Sequence, residues 1–118
     1  MVFGFKGVGK EVAEDAGSLE TWFKDTETLS RASITKDSRP PAPGQQGYML
    51  EAVSVMADSA PVFSAVLSAF GTWLVQRLQQ GQVTVTITCP NGVTITETAR
   101  RQADVPALKQ RIITDCQV

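Results

Sequence analysis

From Gln82 to Ala99 apolar residues alternate with threonines along the chain. Val83, Val85, Ile87 and Cys89 fall on one side, and Thr84, Thr86 and Thr88 on the other. After Pro90-Asn91-Gly92 the alternation resumes, with Val93 and Ile95 against Thr94, Thr96 and Thr98. A period of two belongs to a strand with one buried face, so this segment predicts a β-hairpin with an apolar side and a threonine side. Pro90 suits the first corner of a type I turn, and Gly92 the position of positive φ after it.

Upstream the period lengthens. Phe63, Val66, Leu67, Phe70, Trp73, Leu74 and Leu78 form a wide apolar stripe. Ser64, Ser68, Thr72, Gln76 and Gln80 recur every four residues as a narrow polar one. This predicts a long helix from about Ala60 to Gln80, with Pro61 in its first turn and Gly81 as its terminator. A further helix is expected over Tyr48–Ala57, where Met49, Val53 and Met56 share a face with Leu50 and Ala57 beside them. Ser18 reads as the N-cap of a short helix to Thr28 that buries Leu19, Trp22 and Phe23. Arg31–Asp37 reads as a weakly alternating strand. In Ser38–Gly47, Pro40, Pro41 and Pro43 remove three backbone donors, so neither helix nor central strand can pass. Asp104 is expected to cap a last helix in which Val105, Leu108, Ile112 and Cys116 face inward.

The expected architecture is α+β, in the order α-β-α-α-β-β-α. It has a small antiparallel or mixed sheet, made of the hairpin plus one earlier strand and covered by helices. Residues 18–118 form the single domain, and Met1–Gly17, rich in glycine and then in charge, is expected to be a flexible arm. Trp22, Trp73, Pro43, Gly44, Pro90 and Gly92 are the expected structural residues.

Composition removes many chemistries. The 118 residues include no histidine, which excludes Ser-His-Asp triads, Cys-His dyads and HExxH zinc sites. With 11 basic and 12 acidic residues the net charge is −1, so no global positive field attracts nucleic acid. The only charges between residues 40 and 76 are Glu51 and Asp58, which places the core there. Glu14-Asp15, Asp25 and Glu27 lie in a charged stretch with no apolar pocket to raise a carboxyl pKa. Arg100-Arg101 reads as a solvated pair. No catalytic residue, cofactor site or metal-ligand set is expected. Two cysteines are too few for a secreted disulfide scaffold, and Met1–Gly9 lacks the apolar run of a signal peptide. The expectation is a cytoplasmic protein with reduced thiols, although spacing leaves open whether Cys89 and Cys116 pair.

Three segments invite sharper readings. Gly4 to Lys10 has the GxxxxGK spacing of a phosphate-binding loop, but Glu11 stands where the magnesium-binding Ser or Thr belongs. Ser59 to Gln76 is 18 residues without a charge, the length of a membrane span. Pro61, Gly71 and five polar residues interrupt it, which favours a buried helix over one that meets a membrane or a hydrophobic partner. The threonine face reads as a solvated sheet surface in which cross-strand threonine pairs stabilise the hairpin. A hairpin in a small sheet also leaves an edge able to pair with another chain.

The order of features from Leu19 to about Thr114 resembles the effector-associated constant component family. These are small proteins of multi-component bacterial conflict and immunity systems. LETWFKDTETLSRASI is similar to the family's opening Leu/Trp helix and strand, and PPAPGQQG to its Pro/Gly loop. FSAVLSAFGTWLVQRL resembles its small-residue helix ending in tryptophan and arginine. VTVTITCPNGVTIT resembles its hairpin, and ARRQADVPALKQRI its last short helix. The arm to Gly17 has no counterpart, and Gln79 to Gln82 has glutamines where the family pattern has more arginine. The resemblance implies a non-enzymatic adaptor or scaffold. It would act by contact with an effector such as a protease or nuclease, or with a sensor NTPase, encoded nearby. Candidate contact residues are Ser64, Ser68 and Thr72 on the long helix and Thr84, Thr86, Thr88, Thr94 and Thr96 on the hairpin. A homo-oligomer is the alternative, as a self-assembling structural subunit; a membrane-associating component acting through residues 59–76 is another.

Overall fold

The structure is a computed structural model that describes residues 1–29, 32–39, 48–56 and 59–116. Its elements run β1 (Val2–Val8), α1 (Gly9–Asp25), β2 (Ile34–Arg39), β3 (Tyr48–Val55), α2 (Ala60–Arg77), β4 (Val83–Thr88), β5 (Thr94–Ala99) and α3 (Asp104–Cys116). Single 3-10 turns, Glu27–Leu29 and Leu78–Gln80, follow α1 and α2. The sheet is antiparallel with strand order β2-β3-β1-β4-β5. Helix α1 connects β1 to β2 across β3, and α2 connects β3 to β4 across β1. This pair of split β-α-β units is the ferredoxin-like arrangement, here extended by β5 and α3.

The fold class is α+β, as expected, but the order and the sheet differ from the sequence reading in four places. First, residues 2–8 are the central strand, not part of an arm. Phe3 and Phe5, two residues apart, point to the same side and are 0% and 1% exposed. Neighbours on both sides hold this backbone in register, which local glycine content cannot reveal. Second, α1 starts at Gly9, so Ser18 sits in mid-helix and is no cap. Ala16, Leu19 and Phe23 form its buried stripe. Third, Tyr48–Val55 is a strand, not a helix. Glu51, Val53 and Val55 are buried at a period of two, and Met56, placed on the expected helical face, is exposed. The segment fits either period locally; ladders to β1 and β2 decide for the strand. Fourth, β2 begins at Ile34 and takes in Ser38 and Arg39, which the sequence reading gave to a loop. Pro43, Gly44 and Ala57 lie outside the described residues.

The other elements stand close to expectation. Helix α2 has Pro61 in its first turn and Gly81 beyond its terminal 3-10 turn, at φ 139°. Gly92 has φ 91° in the β4–β5 turn, where Gly92 N–H donates to Cys89 O over 2.9 Å. The helices pack on one face of the sheet. Phe3 lies 4.7 Å from Phe70 and 5.5 Å from Phe23 between ring centroids, and Phe5 meets Trp73 edge-on at 5.7 Å. Trp22 is half-buried against this core, and Trp73 is buried within it. The Trp73 indole N–H donates to Ser18 Oγ over 3.0 Å, so the polar edge of a buried ring is satisfied.

Candidate functional site

Of Gly4 to Lys10, the stretch with phosphate-loop spacing, Gly4 to Val8 is extended backbone inside the sheet, and Gly9 and Lys10 open α1. Gly4 is buried, in register with Ala52 on one side and Thr86 on the other. The Gly4 to Val8 backbone is therefore drawn out in a strand and is not the curled loop that wraps a phosphate. Among the described residues no cluster of acids and cysteines is arranged to hold a metal ion. Glu51, which the sequence reading did not single out, is the one charged residue buried among those described. It stands opposite Phe5 and Ser38 on the helix-covered face.

The candidate contact residues fall on two separate surfaces. Ser64, Ser68 and Thr72 are exposed on α2, on its side away from the sheet. They border two hollows that run along the α2–α3 seam. One, of about 520 Å³, includes Thr72, Val75, Pro106 and Ile113; the other, of about 250 Å³, includes Phe63, Ser64, Ser68 and Ile113. The Lys109 stem divides them and lies on Gly71, where an added Cβ would stand 2.8 Å from its Cδ. A side chain at Gly71 would thus displace the Lys109 stem from this seam.

The threonines lie on the opposite side of the molecule, on the sheet face that no described helix covers. Their spacing follows from the turn. Cys89 N–H donates to Val93 O over 2.8 Å, and hydrogen-bonded pairs alternate with non-bonded ones along an antiparallel ladder. Ile87–Ile95, Val85–Glu97 and Val83–Ala99 are therefore bonded pairs, and the three Thr–Thr pairs are non-bonded. Side chains approach most closely at non-bonded pairs. Accordingly Thr84 and Thr98 hydroxyls are 2.8 Å apart and Thr86 and Thr96 hydroxyls 3.1 Å apart.

Helix α3 turns back along β5 toward the hairpin tip. The Asp104 carboxylate, expected to cap the helix, instead accepts the backbone N–H groups of Arg100 (2.9 Å) and Arg101 (3.1 Å) in the preceding turn. These bonds hold its pKa below the ordinary 3.8. Val105, Leu108, Ile112 and Cys116 face inward as expected, and Arg111 pairs with Glu97 of β5. At the far end Cys89 and Cys116 are joined in a disulfide, with Cα atoms 5.3 Å apart. This replaces the expected reduced thiols, because only the return path of α3 brings two residues 27 apart in sequence together. Asn91 Nδ2 adds donors to Asp115 O and Cys116 O, each over 3.3 Å. Between β5 and α3 lies a crevice of about 220 Å³ lined by Glu97, Thr98, Ala99, Asp104, Leu108 and Arg111.

A family model matches residues 8–114 of the 118, under the description Effector Associated Constant Component 1. The chain belongs to that family. No curated protein and no solved structure gives a significant match. An Effector Associated Constant Component 1 protein is by description an accessory component of effector-associated systems. The matched range includes every candidate contact residue named above. No described helix is long and apolar enough to cross a membrane. The helix in residues 59–76 is buried, as its interrupting polar residues favoured: Phe63, Val66, Leu67, Phe70, Trp73 and Leu74 all pack into the core.

Proposed function

We propose that this protein is a non-enzymatic adaptor of a bacterial multi-component conflict system. It works by protein–protein contact with an effector, such as a protease or nuclease, or with a sensor NTPase encoded nearby. The family match over residues 8–114 carries this reading. The geometry supports it, because the polar groups singled out above hold the fold together. Trp73 and Ser18 satisfy each other, Arg77 pairs with Asp15 over 2.6 Å, and Asp104 ties its own turn. Chemistry would then reside in the partner, and this chain would supply recognition.

The test is co-expression with the products of the adjacent genes, followed by purification and size-exclusion chromatography with light scattering. The adaptor reading expects a defined hetero-complex with one of those products. Exclusive recovery of assemblies of this chain alone would replace it with the self-assembling subunit.

A further inference from the structure

Strand β5 is the edge of the sheet, and among the described residues only β4 pairs with it. Because the three Thr–Thr pairs are non-bonded toward β4, the backbone N–H and C=O groups of Thr94, Thr96 and Thr98 point away from it, toward the open edge. Edge strands are ordinarily protected by proline, by charged side chains, by a bulge, or by a covering helix or loop. The sequence Thr94-Ile95-Thr96-Glu97-Thr98-Ala99 has neither proline nor lysine, its one charge, Glu97, is paired with Arg111 of α3, and its register with β4 is continuous. The opposite edge, β2, carries Lys36, Asp37 and Arg39 and leads into the proline run. The two edges of one sheet are thus unlike in sequence, and β5 carries fewer charges than β2.

The surroundings of β5 state what would pair there. Residues placed opposite Ile95, Glu97 and Ala99 would face the crevice beside α3, whose floor includes Ala99 and Leu108. Residues opposite Thr94, Thr96 and Thr98 would extend the threonine face. At the C-terminal end of β5, Arg100 and Arg101 are exposed, and the adjacent Asp104 carboxylate is engaged by their backbone N–H groups. Arg111, by contrast, is paired with Glu97. Asp104 keeps its charge beside them and Arg100 Nε also donates to Gln82 Oε1 over 3.4 Å, so two guanidinium groups against one carboxylate leave this end of the edge net positive.

We propose that β5 is the docking strand of this protein and accepts, as an antiparallel sixth strand, an extended segment of the effector. That segment alternates apolar and polar side chains and carries acidic residues at its N-terminal end, where antiparallel pairing brings it beside Arg100 and Arg101. Main-chain hydrogen bonds supply affinity, and the crevice and the arginine pair supply selection. The proposal rests on the adaptor reading and names its surface.

The experiment uses the full chain and, as probe, the effector protein encoded beside its gene, titrated by calorimetry. Thr96→Pro removes an edge N–H that β4 does not use, Thr96→Ser keeps it, and Arg100→Glu with Arg101→Glu reverses the positive end. The expected result is binding by wild type and Thr96→Ser. Thr96→Pro and the arginine double variant should each bind about tenfold more weakly or worse. In hydrogen exchange the Thr94, Thr96 and Thr98 amides should exchange quickly in the free protein and slowly in the complex. If Thr96→Pro loses its fold by circular dichroism, the arginine variant and the exchange pattern decide alone. Effector binding that ignores these variants, with the three amides still fast, overturns the edge and leaves the adaptor reading standing. No effector binding by wild type overturns both. Protection of the three amides in the free chain, rising with its concentration, assigns the edge to a second copy and overturns the proposal.

Discussion

Reduction of the Cys89–Cys116 disulfide should cost this protein a large part of its stability. The bond closes a loop between residues 27 apart. For that length the chain-entropy relation gives about 12 cal/mol/K removed from the unfolded ensemble, or about 3.5 kcal/mol at 25 °C. Native domains hold only about 5–15 kcal/mol in total, so this is a substantial share. Unfolding entropy of about 2.1 cal/mol/K per residue gives about 250 cal/mol/K for 118 residues. The melting temperature should therefore fall by about 14 °C on reduction. The loss should begin at the C-terminal end of α3, where among the described residues the two 3.3 Å bonds from Asn91 would be the hydrogen bonds still tying the helix to the hairpin tip. The assay is a pair of thermal melts by circular dichroism, with and without dithiothreitol. Thiol titration confirms that two electrons have converted one disulfide to two thiols. Reduction leaves every side chain in place, so no cavity confuses the reading. Release of two thiols with a shift under about 3 °C would refute the argument.

Trp73→Ala should cost about 3–5 kcal/mol, since it removes a buried ring against Phe5 and Phe70 and strands Ser18 Oγ; chemical denaturation measures it, and a cost under about 1 kcal/mol would place the ring outside the core. Gly92→Val should destabilise by about 1–3 kcal/mol through backbone strain alone, because φ is 91° and nothing lies within 4 Å of an added Cβ. Unchanged urea midpoints would contradict that turn. The Asp104 carboxyl should titrate below 3.8 in the folded protein by carbon-detected NMR. A depressed folded pKa stabilises the fold above the unfolded pKa, and this contribution is lost as pH falls through the folded value. The Arg100–Asp104 turn should accordingly loosen only in that acid range, and a midpoint at or above 3.8 would remove the two N–H bonds from the argument.

Local sequence sufficed where an element's period had no competitor. The alternation of Val83 to Thr98 can bury one face only as a strand, and Pro90 to Gly92 can close it only as a tight turn. The wide stripe from Phe63 to Leu78 likewise makes sense only as a helix with its apolar side packed. The missing histidine and the balanced charge narrowed the chemistry without any coordinates. Tertiary structure decided the rest, because partners distant in sequence chose between local options. Residues 2–8 are a strand because β3 and β4 flank them, and Tyr48 to Val55 is a strand because β1 and β2 do. Ser18 looks like a cap locally, but α1 starts at Gly9, and its oxygen instead serves Trp73, 55 residues away. The candidate contact residues were visible one by one. Only the fold put Ser64, Ser68 and Thr72 on one side and the threonine face on the other. The open edge of β5 follows from strand order, and strand order is a property of the whole sheet that no window of sequence contains.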